Sequence, residues 1–215
     1  MSQQTPVIEL PPITPPQNGN GHGPWPEPPT DDNRVAMARF GMILFIFVEA
    51  MTFAGLLSAF LFIRSSLHPW PPLNLPSYPV AATAVNTLLL LVSGMTMFLF
   101  RKRWRSGDAS TGRMTLLLLA TLGLGSLFLV LQGVEWARLL GFGLTLQSHT
   151  YGSIFYLVIG FHAVHVLSAV LWLGLSSARA IAAHFPQNML TLETVGYFWY
   201  FVVLVWPVVY VLVYF

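Results

Sequence analysis

Residues 37–63 read MARFGMILFIFVEAMTFAGLLSAFLFI, a run in which Arg39 and Glu49 are the only charged side chains. A helix needs about 20 apolar residues to cross the hydrocarbon core of a bilayer, and this run is longer than that. Lipid offers no partners to backbone N–H and C=O groups, so such a run must be helical. Four more runs of the same kind follow, at about 80–100, 114–139, 151–177 and 192–214. The period-two alternation of a membrane barrel is absent, and so is the internal repeat of a transporter built from inverted halves. The expected fold class is all-α: a polytopic membrane protein with a bundle of five transmembrane helices over 34–215.

Composition agrees. Hydrophobic residues make up 55% of the 215 and charged residues 8%, against about 25% charged in a soluble domain. The mean hydropathy is +0.66. A water-facing enzyme and a disordered chain are both disfavoured. The cysteine count of zero removes disulfides, iron–sulfur clusters, thiolate nucleophiles and c-type haem attachment. No basic run is interleaved with aromatics in a soluble segment, so nucleic acid is not an expected partner.

The first 33 residues differ in kind. They hold nine of the sixteen prolines and the stretch Asn18-Gly19-Asn20-Gly21. Such a segment cannot bury enough apolar surface to offset its ordering entropy, so 1–33 reads as a disordered cytoplasmic tail, with a partner-docking arm as the alternative. It has neither the basic n-region nor the apolar h-region of a secretory signal.

An odd number of spans puts the termini on opposite sides. With the N-terminus in the cytoplasm, Arg34, Arg39, Arg101, Lys102, Arg103, Arg105, Arg113 and Arg179 lie inside, and Arg64 and Arg138 outside. That asymmetry is the positive-inside signature and makes the C-terminus extracytoplasmic. The loop 65–79 carries Pro69, Pro71, Pro72, Pro76 and Pro79 and is expected to be stiff and non-helical. Trp70 and Tyr78 suit the membrane interface. Pro207 is expected to kink the fifth span.

An ionisable group at the bilayer centre costs about 2.5–3.5 kcal/mol on insertion scales and usually faces the bundle interior. Glu49 lies near the middle of its span with no basic residue within seven positions. A neutral carboxyl is expected there, either as an interhelical hydrogen bond or as a proton-exchanging or lipid-contacting group. His162 and His165 are three apart and share a face. They read as a buried pair bonded to a neighbouring helix, or as two ligands of a metal completed by carboxylates from other helices. Gln132 and Glu135 are also three apart, near the outer end of the third span. Arg138 is the expected partner of Glu135, and no contact with His162 is assumed. Asn86, Thr87, Ser93, Gly94 and Thr96 give the second span the small, polar character of close helix packing. Glu193 is expected to complement the dipole at the start of the last helix.

These motifs, taken in order, resemble subunit III of the haem–copper oxidases, a family that includes cytochrome c oxidases and quinol oxidases. The likeness runs from about Arg34 to Phe215. It rests on Arg39-Phe40-Gly41-Met42 leading to Glu49-Ala50-Met51-Thr52-Phe53, and on Asn86-Thr87-Leu88-Leu89 with Ser93-Gly94. Gln132-Gly133-Val134-Glu135-Trp136 follows, then Tyr151-Gly152-Ser153 with Gly160-Phe161-His162-Ala163-Val164-His165. Phe198-Trp199-Tyr200-Phe201-Val202, running on to Trp206 and Tyr210, closes the series. Two positions depart: Tyr200 stands where the family usually has His, and Val203 where it usually has Asp. With five spans the chain is similar to the short form lacking the first two of seven helices.

The resemblance implies a non-catalytic subunit of a proton-translocating oxidoreductase complex in a bacterial-type inner membrane. No cofactor is expected in this chain. Haem and copper are expected in the partner subunits I and II, and phospholipid is expected to bind. Glu49 corresponds to the family's intramembrane carboxyl, and Gln132, Glu135, His162 and His165 form the expected buried polar set. The competing readings are an accessory subunit of a nitric oxide reductase, a proton-coupled transporter using Glu49, and a membrane metalloenzyme built on the two histidines.

Overall fold

The computed structural model describes residues 31–66, 80–107, 110–143, 150–183 and 189–215. The segment 1–30, the loop prolines, Trp70 and Tyr78 lie outside these residues. Five helices fill them: α1 (Asp31–Ser66), α2 (Val80–Arg105), α3 (Thr111–Gly141), α4 (Thr150–Ala182) and α5 (Met189–Tyr214). All five are long and apolar enough to cross a membrane. Each runs several residues past the apolar stretch that marks it in the sequence. Hydropathy registers the part in hydrocarbon, whereas the hydrogen-bond ladder continues into the interface until a turn breaks it. Residues 31–33, expected in the tail, are helical for this reason.

The chain divides into two compact units, Met1–Met37 and Ala38–Phe215. The described part of the first unit is the opening turns of α1. In the second unit, α2–α5 form a closed ring in which α2 packs on α3, α3 on α4, α4 on α5 and α5 on α2. Small residues allow the close approaches. A Cβ on Gly125 would overlap the indole of Trp199, with Cζ2 at 2.8 Å. A Cβ on Gly94 would meet Val203 Cγ1 at 3.0 Å. Trp199 and Trp206 are fully buried at the ring's centre, with Phe128, Phe155, Leu90 and Leu118. Helix α5 is continuous through Pro207, which leaves the Val203 carbonyl without its helical donor.

The first helix stands apart. Among the described residues of the second unit, the backbone of α1 stays more than 8 Å, Cα to Cα, from that of every other helix. Side chains bridge the gap: Phe45 reaches Phe198, and Phe53 reaches Phe161 and Phe201, with ring centroids 5.1–5.9 Å apart. The opposite face of α1 is uncovered, with Phe40, Ile43, Phe47, Val48, Met51 and Phe62 exposed. In water that surface would be a liability; in a bilayer an apolar face of this kind suits hydrocarbon.

Candidate functional site

Three polar clamps hold α1 to the ring. At one end, Arg39 donates to Glu193 Oε2 at 2.9 Å. At the other, Arg64 donates to the backbone carbonyls of Leu212 and Phe215 at 2.9 and 2.7 Å, satisfying carbonyls that the end of a helix leaves free. Midway, Glu49 Oε2 lies 3.0 Å from His165 Nε2 on α4. Both side chains of this middle pair are more than four-fifths buried.

The geometry fixes how protons sit on the middle clamp. His165 Nδ1 is 2.8 Å from the carbonyl oxygen of Phe161 one turn earlier. A carbonyl can only accept, so Nδ1 carries hydrogen. Nε2 and Glu49 Oε2 then share one proton between them. Either the carboxyl donates to a neutral imidazole, or the imidazolium donates to a carboxylate. The pair is neutral overall in both states, and moving the proton between them changes no net charge. Phe161 and Phe53 wall the imidazole at 4.5 and 5.2 Å.

His162 turns to a different environment. The residue is 1% exposed, and its ring stacks on Trp206 at 4.8 Å, 28° from parallel. Neither ring nitrogen has a hydrogen-bond partner among the described residues. Phe53 touches both imidazoles, but His165 faces α1 while His162 faces the ring interior. Among the described residues, no group of three His, Asp or Glu side chains is close enough to hold a metal. The His162–His165 spacing therefore does not assemble a ligand set there.

A further set of buried polar residues forms a network between α2, α3 and α5. Glu135 accepts a hydrogen bond from Thr83 Oγ1 at 3.0 Å. Among the described residues no ion pair joins it to Arg138, the partner expected from spacing along α3. Arg138 is exposed while Glu135 turns inward, because a carboxyl facing the ring is satisfied by a short hydroxyl rather than by a cation that prefers the interface. Asn86 Nδ2 donates to Gln132 Oε1 at 3.2 Å and to the Phe128 carbonyl at 3.3 Å. Trp206 Nε1 donates to Thr87 Oγ1 at 2.9 Å, and that hydroxyl donates on to the Thr83 carbonyl at 2.7 Å. Sequence reasoning does not single out Thr83 and Trp206 as members. A signal for Thr83 is nevertheless present, since 83, 86 and 87 lie three and four apart on one helical face.

The two departing positions have distinct settings. Val203 is buried against Gly94, an apolar contact where the family usually has Asp. Tyr200 turns its hydroxyl inward without a hydrogen bond among the described residues. Glu193, expected to serve the dipole at the helix start, lies past the first turn because α5 begins at Met189. It accepts instead from Arg39, Arg101 and Arg105 on two other helices.

Residues 32–215 match the family described as cytochrome c oxidase subunit III. Among curated proteins, cytochrome c oxidase subunit 3 of Sus scrofa is 34% identical over 185 residues, covering 82% of this chain and 68% of that protein. The Drosophila yakuba protein of the same name is 34% identical over 186 residues, with the same coverage. That of Allomyces macrogynus is 33% identical over 184 residues, covering 81% of this chain and 65% of its own length. The match spans all five helices with their Glu49–His165 pair and Thr83–Glu135 network, and the chain belongs to the cytochrome c oxidase subunit III family.

Proposed function

We propose that this chain is the non-catalytic subunit III of a haem–copper terminal oxidase, packed beside subunit I in a cell membrane with its N-terminus in the cytoplasm. It stabilises subunit I, holds phospholipid and supports proton uptake during oxygen reduction. The observation that carries this reading is the Glu49–His165 pair: a proton-sharing carboxyl and imidazole, placed between a helix that is covered on one side only and the ring. Such a pair can pass a proton between its carboxyl and its imidazole with no change in its own net charge. Haem and copper belong, on this reading, to subunits I and II, and electron chemistry falls to them.

Lipid retention fits the arrangement of α1. A cavity of about 460 Å³ opens between α1 and α5, lined by Ile46, Phe53, Leu57, Phe201, Leu204 and Val205. Its walls are apolar and it takes an acyl chain. The test is purification of the assembled complex. Co-purification with a haem–copper subunit I supports the reading, and a nitric oxide reductase subunit in its place would assign the chain to that complex. Glu49→Gln in the assembled oxidase is expected to slow proton uptake while leaving assembly intact. Loss of the whole complex on that substitution would make Glu49 purely structural.

A further inference from the structure

The C-terminal end of α2, with Arg39 of α1, carries more positive charge than Glu193 of α5 balances. Arg39, Arg101 and Arg105 converge on its carboxylate at 2.9, 3.1 and 2.7 Å. Lys102 joins Arg101 and Arg105 in lining a cavity of about 500 Å³. Among the described residues, three guanidinium groups thus meet one carboxylate, and Lys102 adds a further cation on the cavity wall. Two polar groups here are also unsatisfied: Arg101 Nε and the Tyr200 hydroxyl are buried without a hydrogen bond among the described residues. The Arg101 guanidinium lies 4.3 Å over the Tyr197 ring, which holds it in place. The remaining wall is Phe98, which is exposed on the lipid-facing side.

The level in the membrane is defined by length. Helix α2 has 26 residues, about 39 Å at 1.5 Å per residue, against a hydrocarbon core of about 30 Å. Arg101 and Arg105, in its last turn or so, therefore sit at the depth of lipid head groups. A positive wall at that depth, continuous with an aromatic wall facing hydrocarbon, is complementary to a phosphate carried on acyl chains. A soluble anion would use the first wall and leave Phe98 unexplained.

We propose that this cavity binds the phosphate group of an anionic membrane phospholipid, with Arg101, Lys102 and Arg105 around the phosphate and an acyl chain along Phe98. The proposal rests on the reading that the chain lies in a membrane and holds lipid. It specifies a second location, away from Glu49 and His165, and a head-group chemistry. Tyr200, the departure from the family's usual His, places a hydroxyl beside this cavity.

The test uses the full chain in nanodiscs of phosphatidylcholine with graded phosphatidylglycerol, and counts retained lipids by native mass spectrometry. Phosphatidylglycerol is expected to be retained over phosphatidylcholine. Each juxtamembrane cation contributes about a five-fold effect, so Lys102→Gln is expected to lower that preference about five-fold and Lys102→Gln/Arg105→Gln about twenty-five-fold. Lys102 makes no bond to Glu193, so its substitution leaves the clamp on α1 in place. Arg138→Gln, at the opposite end, is expected to change nothing. Equal retention of the two lipids, or variants that behave as wild type, would overturn the proposal. Inorganic phosphate displacing the lipid at millimolar concentration would reassign the cavity to a soluble anion. Absence of lipid preference in a chain that still co-purifies with subunit I would overturn this site alone and leave the proposed function standing.

Discussion

Glu49 and His165, 116 residues apart in sequence, share one proton across a 3.0 Å gap between α1 and α4. The Phe161 carbonyl settles which imidazole nitrogen takes part. Glu49→Gln keeps a donor opposite Nε2 and is expected to leave folding unchanged while abolishing proton exchange. Glu49→Leu removes the donor and strands a buried imidazole nitrogen, at a cost of about 1–3 kcal/mol. Thermal unfolding in detergent separates the two: near-wild-type stability for the amide and a clear loss for the leucine. Equal loss in both would contradict the shared-proton geometry.

Gly125 is occupied from above by the Trp199 indole. Gly125→Ala is expected to force the ring off its site and to destabilise the bundle by about 1–3 kcal/mol, as overpacking does. Gly123→Ala, two residues away with open space at its Cβ, is the matched control and is expected to be neutral or slightly stabilising. Denaturant-dependent unfolding of the pair checks the difference.

Glu193 gathers arginines from α1 and α2 onto α5. Glu193→Gln leaves three guanidinium groups without their common counter-charge. It is expected to cost about 2 kcal/mol, the scale of hydrogen bonds to charged groups, and to loosen the end of α1. Spin labels on exposed positions of α1 and α4 near that end read the change as a broadened distance distribution. An unaltered distribution would show that the Phe45 and Phe53 contacts suffice to hold α1.

Val203 fills the space over Gly94, where the family usually carries Asp. Val203→Asp is expected to destabilise by about 1–3 kcal/mol, since a polar group is buried there without a bonding partner. Adding Tyr200→His, three residues earlier on the same face, is expected to restore part of the loss. A double variant no better than the single one would mean that the usual His–Asp pair depends on neighbours this chain has changed.

Much of the architecture is legible in the sequence because a bilayer imposes a length. Runs such as 37–63 and 192–214 can only be helices, and five of them give the bundle. The ends are less legible, since helical hydrogen bonding outlasts apolarity: α1 begins at Asp31 and α4 continues to Ala182. Glu49 and His165 both stand out as costly in lipid, yet nothing local announces their pairing. The register between α1 and α4 is fixed by ring contacts such as Phe53–Phe161. Glu135 and Arg138 show the opposite failure. Their spacing suits an ion pair along one helix, but the carboxyl turns to Thr83 on another. That α1 stands off the ring on long side chains is not readable, because its composition matches that of the packed helices.

Whether this chain is a colourless subunit serving a redox partner is decided by purifying it twice, once from its native membrane in mild detergent and once alone. The visible spectrum of each preparation is recorded with its subunit content. The native preparation is expected to carry a haem–copper subunit and a Soret band, and the lone chain to be colourless. A lone chain with stoichiometric haem, or a native chain that comes away with no redox subunit, would contradict that assignment.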